Sequence, residues 1–222
     1  MTIGEMHREF RVLMDKADSG SAPAFLSAEV DLFLNAAIDR FITKRMFGNN
    51  VRKTGFEEDQ KRRDDLRNLI KDYAETPNVA TSDNKDGGQF IGLPDDYRHA
   101  LSEECTLNYG DPRIPVQPLT YDRYTKVMDD PFKRISNKIA YRLDYSGDTF
   151  EIIALGTVHK YHLRYVSTPT SVILNTGDGV SVDCSLAEYT HREIVRMAVL
   201  EALENIEDPR YQSSKTELNE IE

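Results

Sequence analysis

The chain has 222 residues, 39% of them hydrophobic and 30% charged, with a formal net charge of −10. That length and apolar content suffice for a real core in one large domain, or in a domain carrying an insertion, and describe a soluble globular protein. No apolar run approaches the roughly 20 residues that span a bilayer, and the opening MTIGEMHREF has neither the charged nor the apolar region of a secretory signal. The acidic balance excludes a protein whose main work is gripping nucleic acid by its phosphates, because that work needs a basic surface.

Thr2 and Glu5 have the spacing of a capping box, and Phe10, Leu13, Met14 and Ala17 continue a short first helix that Ser19, Gly20 and Pro23 end. Ser27 is expected to cap a second helix running to about Phe47, roughly 30 Å long at 1.5 Å per residue. In it Val30, Phe33, Leu34, Ala37, Ile38, Phe41 and Ile42 recur three and four apart and form one apolar stripe; Gly48, Asn49 and Asn50 stop it. The spacing predicts a third helix over 56–73, with Leu66, Leu69, Ile70 and Tyr73 as its apolar edge. Glu57, Glu58 and Asp59 stand four residues before Lys61, Arg62 and Arg63, the pattern of a solvated face.

From Pro77 to Gln89 the chain is polar and Gly-rich and reads as a long loop. The period then changes to two. Tyr97, His99, Leu101, Cys105 and Leu107 alternate with polar residues as in a half-buried strand. Ile139, Tyr141, Leu143 and Tyr145 form another face, Ser146, Gly147 and Asp148 make a turn, and 149–155 returns as the second arm of a hairpin. Val158 to Val166 is a further strand. Thr120 can cap a short helix over 121–128, which Pro131 prevents from continuing. After Pro169 and the turn around Gly177 to Gly179, a final helix opens at Ser185 or Ala187. Ile194, Val195, Ala198, Val199, Ala202, Leu203 and Ile206 repeat the apolar stripe there.

Two stripes flanking a β segment most simply pack on each other. The expected fold is therefore α+β: a helical bundle core of N- and C-terminal helices (1–76 and 184–208) with an inserted antiparallel β region (77–183). Phe33, Leu34, Ile38 and Phe41 are expected to pack against Ile194, Val195, Val199 or Leu203. Pro209 ends the last helix, and 209–222 is too polar to fold by itself. It reads as an arm whose order comes from a partner, with Tyr211, Leu218 and Ile221 as its apolar contacts.

Candidate chemistry is sparse. Cys105 and Cys184 read as two reduced, apolar thiols. His159 and His162, three apart on a strand, point to opposite faces and cannot chelate one ion. His159 shares its face with Tyr161, Leu163 and Tyr165, as a core histidine would. Lys160, His162 and Arg164 share the other face and can form a basic stripe, with Lys138 and Arg142 joining from the hairpin, that contacts solvent, an acidic neighbour or DNA. The carboxylate pairs Asp95–Asp96, Glu103–Glu104 and Asp129–Asp130 are adjacent, so they diverge on a strand or cap in a turn rather than converge on a metal. There is no GxxxxGK[ST], GxGxxG after a strand, GxSxG or HExxH. Leu93-Pro94-Asp95-Asp96-Tyr97 reads as a turn from loop into strand. A metal-dependent hydrolase with an unfamiliar carboxylate site is the alternative from another class; catalysis, cofactor and metal are not expected.

Together, VDLFLNAAIDRFITKRM at 30–46, LPDDYR at 93–98, HLRYVSTP at 162–169 and HREIVRMAVLEALE at 191–204 resemble the head-to-tail connector, or ring, proteins of tailed bacteriophages, with a particular likeness to those of crAss-like phages. The likeness spans most of the chain and is silent at 77–89 and beyond Asp208. The resemblance implies a non-enzymatic virion protein: a dodecameric adaptor ring below the portal, in the neck at the portal vertex, which joins capsid to tail. Implied partners are further copies of the chain, the portal and adjacent neck or tail rings. Genomic DNA would pass through the lumen without sequence-specific binding and no membrane would be involved. Assembly would take place in the host cytoplasm. A stopper or tail-terminator ring is the neighbouring alternative.

Overall fold

The computed structural model describes residues 1–15, 25–47, 56–79, 87–108, 110–175, 177, 179–208 and 211–220. In chain order the elements are α1 (Ile3–Asp15), α2 (Ser27–Met46), α3 (Gln60–Asp65), β1 (Ile70–Glu75), β2 (Asn78–Val79), β3 (Gln89–Gly92), β4 (Tyr97–Thr106), β5 (Ile114–Pro118), α4 (Tyr121–Asp129), β6 (Ala140–Asp144), β7 (Thr149–Ile153), β8 (Lys160–Ser167), α5 (His191–Asn205) and α6 (Tyr211–Glu220). The fold is mixed α+β. Among the described residues no helix is long and apolar enough to cross a membrane. Tertiary contacts divide the chain into two compact units, one of residues 1–69 with 169–222 and one of residues 70–168.

The helical unit starts with the expected capping box: the Thr2 N–H donates to the Glu5 carboxylate at 2.9 Å and Thr2 Oγ1 accepts from the Glu5 N–H at 3.3 Å. At α2 the cap position falls to Leu26 rather than Ser27. The Leu26 N–H donates to the Glu29 carboxylate at 2.7 Å, while Ser27 Oγ accepts from Arg11 at 3.2 Å. Val30, Leu34, Ala37, Ile38, Phe41 and Ile42 are buried, and α5 contacts both α1 and α2. Phe33 is half-buried and turns toward α1, stacking on Phe10 at 6.2 Å with Phe25 edge-on at 5.4 Å. Arg45 ends this stripe with a buried charge. Its Nε lies 2.7 Å from Asp65 and its Nη2 2.8 Å from Glu193, with the guanidinium 4.5 Å from the Phe41 ring centroid. One side chain of α2 thereby joins α3 to α5.

The third helix expected over 56–73 is cut short. Asp59 caps α3 by accepting from the Lys61 N–H at 2.9 Å, the helix ends at Asp65, and Ile70–Glu75 is instead strand β1, paired antiparallel with β8 from Ile70↔Val166 to Glu75↔Tyr161. Leu66 and Leu69 are buried, whereas Ile70 and Tyr73 are half-buried. Spacings of three and four fit a helix, but long-range pairing decides the second half.

The β unit is one eight-stranded sheet in the order β1-β8-β4-β5-β6-β7-β3-β2. Its neighbours are antiparallel except β5 and β6, which run parallel, so the expected purely antiparallel region is corrected. Parallel neighbours need a crossover, and α4 supplies it. The two edge strands, β1 and β2, are consecutive in the chain and linked only by Thr76 and Pro77, so the sheet must curl until its edges approach. Tyr73 of β1 donates to the Gly92 carbonyl at the end of β3 at 3.0 Å. One face of the curl buries Ile91, Cys105, Phe150, Ile152, Tyr161, Leu163 and Tyr165. On the other, Tyr124 of α4 packs on Leu143 and Ile153.

Candidate functional site

Three strands position the residues expected to form a basic stripe. In β8, alternation puts Lys160, His162 and Arg164 on one face, and register sets Arg164 between Asp72 of β1 and Ser102 of β4, and His162 between Ala74 and Glu104. Arg164 Nε lies 2.7 Å from Asp72, and Arg113 reaches Glu104 at 3.2 Å. The Arg164 hydrogen bond holds the Asp72 carboxyl below its ordinary range. Partial burial, with Arg113 and Lys160 nearby, lowers His162. The stripe is thus a mixed-charge ladder along a polar groove of about 460 Å³. Cross-strand register brings Asp72 and Glu104 alongside β8, and Arg113 follows through its ion pair with Glu104; from sequence Asp72 and Arg113 were missed and Glu104 was read only as half of a carboxylate pair.

Arg142 does not join that surface. Alternation turns it into the curl, where its Nε is 3.4 Å from Glu103 and its guanidinium lies 4.0 Å from the Phe150 centroid. The Tyr161 hydroxyl donates to Glu103 at 2.7 Å. Burial raises the Glu103 carboxyl despite the nearby Arg142, and the Tyr161 hydroxyl rises for the same reason. Glu103 and its neighbour Glu104 therefore leave the strand on opposite faces, as adjacent strand carboxylates should. Lys138 is exposed in the turn before β6.

His159 is not the expected core histidine. β8 begins at Lys160, so His159 precedes the alternating segment; it is exposed, and its N–H donates to the Thr106 carbonyl at 2.8 Å. The Leu-Pro-Asp-Asp-Tyr turn behaves as expected. The Tyr97 N–H donates to the Pro94 carbonyl at 2.9 Å, and Asp96 accepts from Lys71 at 2.5 Å and from the Tyr165 hydroxyl at 2.8 Å. Those two bonds hold the Asp96 carboxyl below its ordinary range, and burial with the Asp96 bond pushes Tyr165 up to about 12. Cys105 and Cys184 are both free thiols; burial pushes Cys105 up to about 11.

The C-terminal segment is helical as α6 from Tyr211 to Glu220 and contacts α5. Tyr211 is half-buried, with Lys215 Nζ 5.4 Å from its ring. Leu218 lies on α6, while Pro209 and Ile221 fall outside the described residues. Among the described residues, no group of three or more His, Cys, Asp or Glu is arranged to hold a metal ion. What the geometry offers is a charged sheet face, a curled eight-stranded sheet and helices with exposed apolar positions such as Leu26 and Leu32.

Comparison with known proteins gives the surface a context. Residues 1–213 match the family model described as phage tail ring protein 3/4. Ring protein 3 of Bacteroides phage crAss001 is 32% identical over 189 residues, covering 77% of this chain and 81% of that protein. Ring protein 4/5 of the same phage is 28% identical over 222 aligned positions, covering 90% and 91%. With a family match across residues 1–213 and a relative 32% identical over 77% of its length, the chain belongs to the ring proteins of crAss-like phages.

Proposed function

We infer that the chain is a structural, non-enzymatic component of the virion that assembles with copies of itself into a ring of the head-to-tail connector, below the portal, around the channel through which DNA leaves the capsid. Membership of the ring family across residues 1–213 is the observation that carries this reading. The helices serve as a bundle core, the body of the subunit. The ring has twelve copies, and Tyr211, Leu218, Ile221 and the ladder of Lys160, His162 and Arg164 meet neighbouring subunits or the adjacent ring. Residues 209–222 act as the arm. The net charge of −10 suits a lumen that DNA slides past without being held.

The word "tail" in the family description favours a second reading, in which the ring is a stopper or tail terminator on the tail side of the neck. Mass measurement of the purified chain, alone and with the portal, tests both. A twelve-copy ring that forms on the portal supports the adaptor. A ring that forms only on a tail component supports the second reading, and a chain that stays monomeric with every neck component overturns the proposal.

A further inference from the structure

Phe132 is 97% exposed, the most open large apolar side chain among the described residues. It sits on a built turn. Its N–H donates to the Asp130 side chain at 2.9 Å, and the N–H groups of Lys133 and Arg134 donate to the Asp130 carbonyl at 3.1 and 3.0 Å. The Tyr141 hydroxyl, from β6, donates to the Lys133 carbonyl at 2.5 Å. A turn bonded in this way presents the ring with little ordering left to do on binding, which favours an interface anchor. The segment around it is locally basic: five exposed cations, Arg123, Lys126, Lys133, Arg134 and Lys138, stand against three aspartates over 121–138, on a chain whose formal charge is −10.

We propose that this turn is one half of the joint between subunits, with Phe132, flanked by Lys133 and Arg134, seated on an apolar, acid-flanked surface of a second copy of the chain. The proposal rests on the ring reading above. Ring closure uses heterologous contacts, so the two halves of the joint are different patches of one surface. The solvent face at the start of α2 is the complement: Leu26 and Leu32 are 68% and 71% exposed, with exposed Glu29 between them. Duplex DNA is the poorer occupant, because phosphates would engage the cations and leave the outermost group, a phenyl ring, in water.

The test places p-benzoylphenylalanine at position 132 in phage particles, irradiates them and identifies the crosslinked peptides by mass spectrometry. A crosslink to residues 26–40 of a second copy is expected. In the purified full chain, Lys133→Glu with Arg134→Glu should weaken self-association at least about tenfold and leave the thermal midpoint unchanged, since both side chains are exposed. A crosslink to another protein, to DNA or to a different part of the chain, or none in particles that contain the chain, overturns this proposal and leaves the ring reading standing. Particles whose neck shows the chain outside any ring overturn the ring reading itself, and the joint with it.

Discussion

Phe41→Ala tests the packing of the helical unit most directly. Phe41 is fully buried on the stripe of α2, which contacts α5, and its ring lies under the Arg45 guanidinium at 4.5 Å. Losing the transfer free energy of a buried aromatic costs about 2–3 kcal/mol. The cavity left behind raises the total to about 3–5 kcal/mol. Loss of the cation–π contact adds about 1 kcal/mol, because the guanidinium is itself desolvated. A marginally stable domain has roughly 5–15 kcal/mol in all, so the helical unit should approach its unfolding threshold. The chain has no tryptophan and two compact units, so one bulk spectroscopic transition would blur them. Hydrogen exchange read by mass spectrometry separates the two. Protection should fall by about three to four orders of magnitude in α2 and α5, as about 4–6 kcal/mol requires, and stay unchanged in β4 and β8. Uniform loss across both units would refute the independence of the helical core. A change below about 1 kcal/mol would refute the packing argument.

Three further outcomes follow from buried charges and from the tail. Arg45→Met leaves Asp65 and Glu193 without their shared cation and should cost about 3–5 kcal/mol in urea denaturation; a neutral result would show that α3 is not held to α5 through this residue. Glu103 has a carboxyl raised by burial, so its folded value lies above the unfolded value of about 4.3. Its contribution to stability is therefore fully present below that pH and is lost as pH rises through the folded value. Urea midpoints measured from pH 4 to 7 should decline less steeply in Glu103→Gln than in the parent, and an unchanged slope would remove Glu103 as the cause. Truncation after Asp208 should leave the thermal midpoint nearly unchanged and abolish assembly onto the portal or neighbouring ring. Undiminished assembly of the truncated chain, measured by native mass spectrometry, would shift the contact with the portal or neighbouring ring to α5 or the sheet.

Much of this molecule is local physics. The capping box at Thr2 and Glu5, the stripes of α2 and α5, the hairpin around Gly147, the turn at Pro94 and the short helix after Thr120 are each specified by residues within a few positions of one another, so their signals survive in a single sequence. The divergence of Glu103 and Glu104 is equally local, because a strand has period two whatever it pairs with.

Tertiary structure decided the rest, always where the deciding partner lies far along the chain. Leu66, Leu69, Ile70 and Tyr73 suit a helix edge, but Ile70 pairs with Val166, and that distant ladder converts the second half into β1. Arg142 reads as a surface cation until the curl places it inside, against Glu103 and Phe150. Lys160, His162 and Arg164 read as a basic stripe until β1 and β4 bring Asp72 and Glu104 alongside. His159 was lost to a two-residue shift in where β8 begins, from the expected Val158 to Lys160, which leaves His159 just ahead of the alternating segment. Sequence determines which segments can be helices, strands and turns, because propensity and periodicity act over a few residues. Which strands become neighbours, and hence which charges meet, depends on contacts across nearly a hundred residues, whose pairing no local pattern encodes.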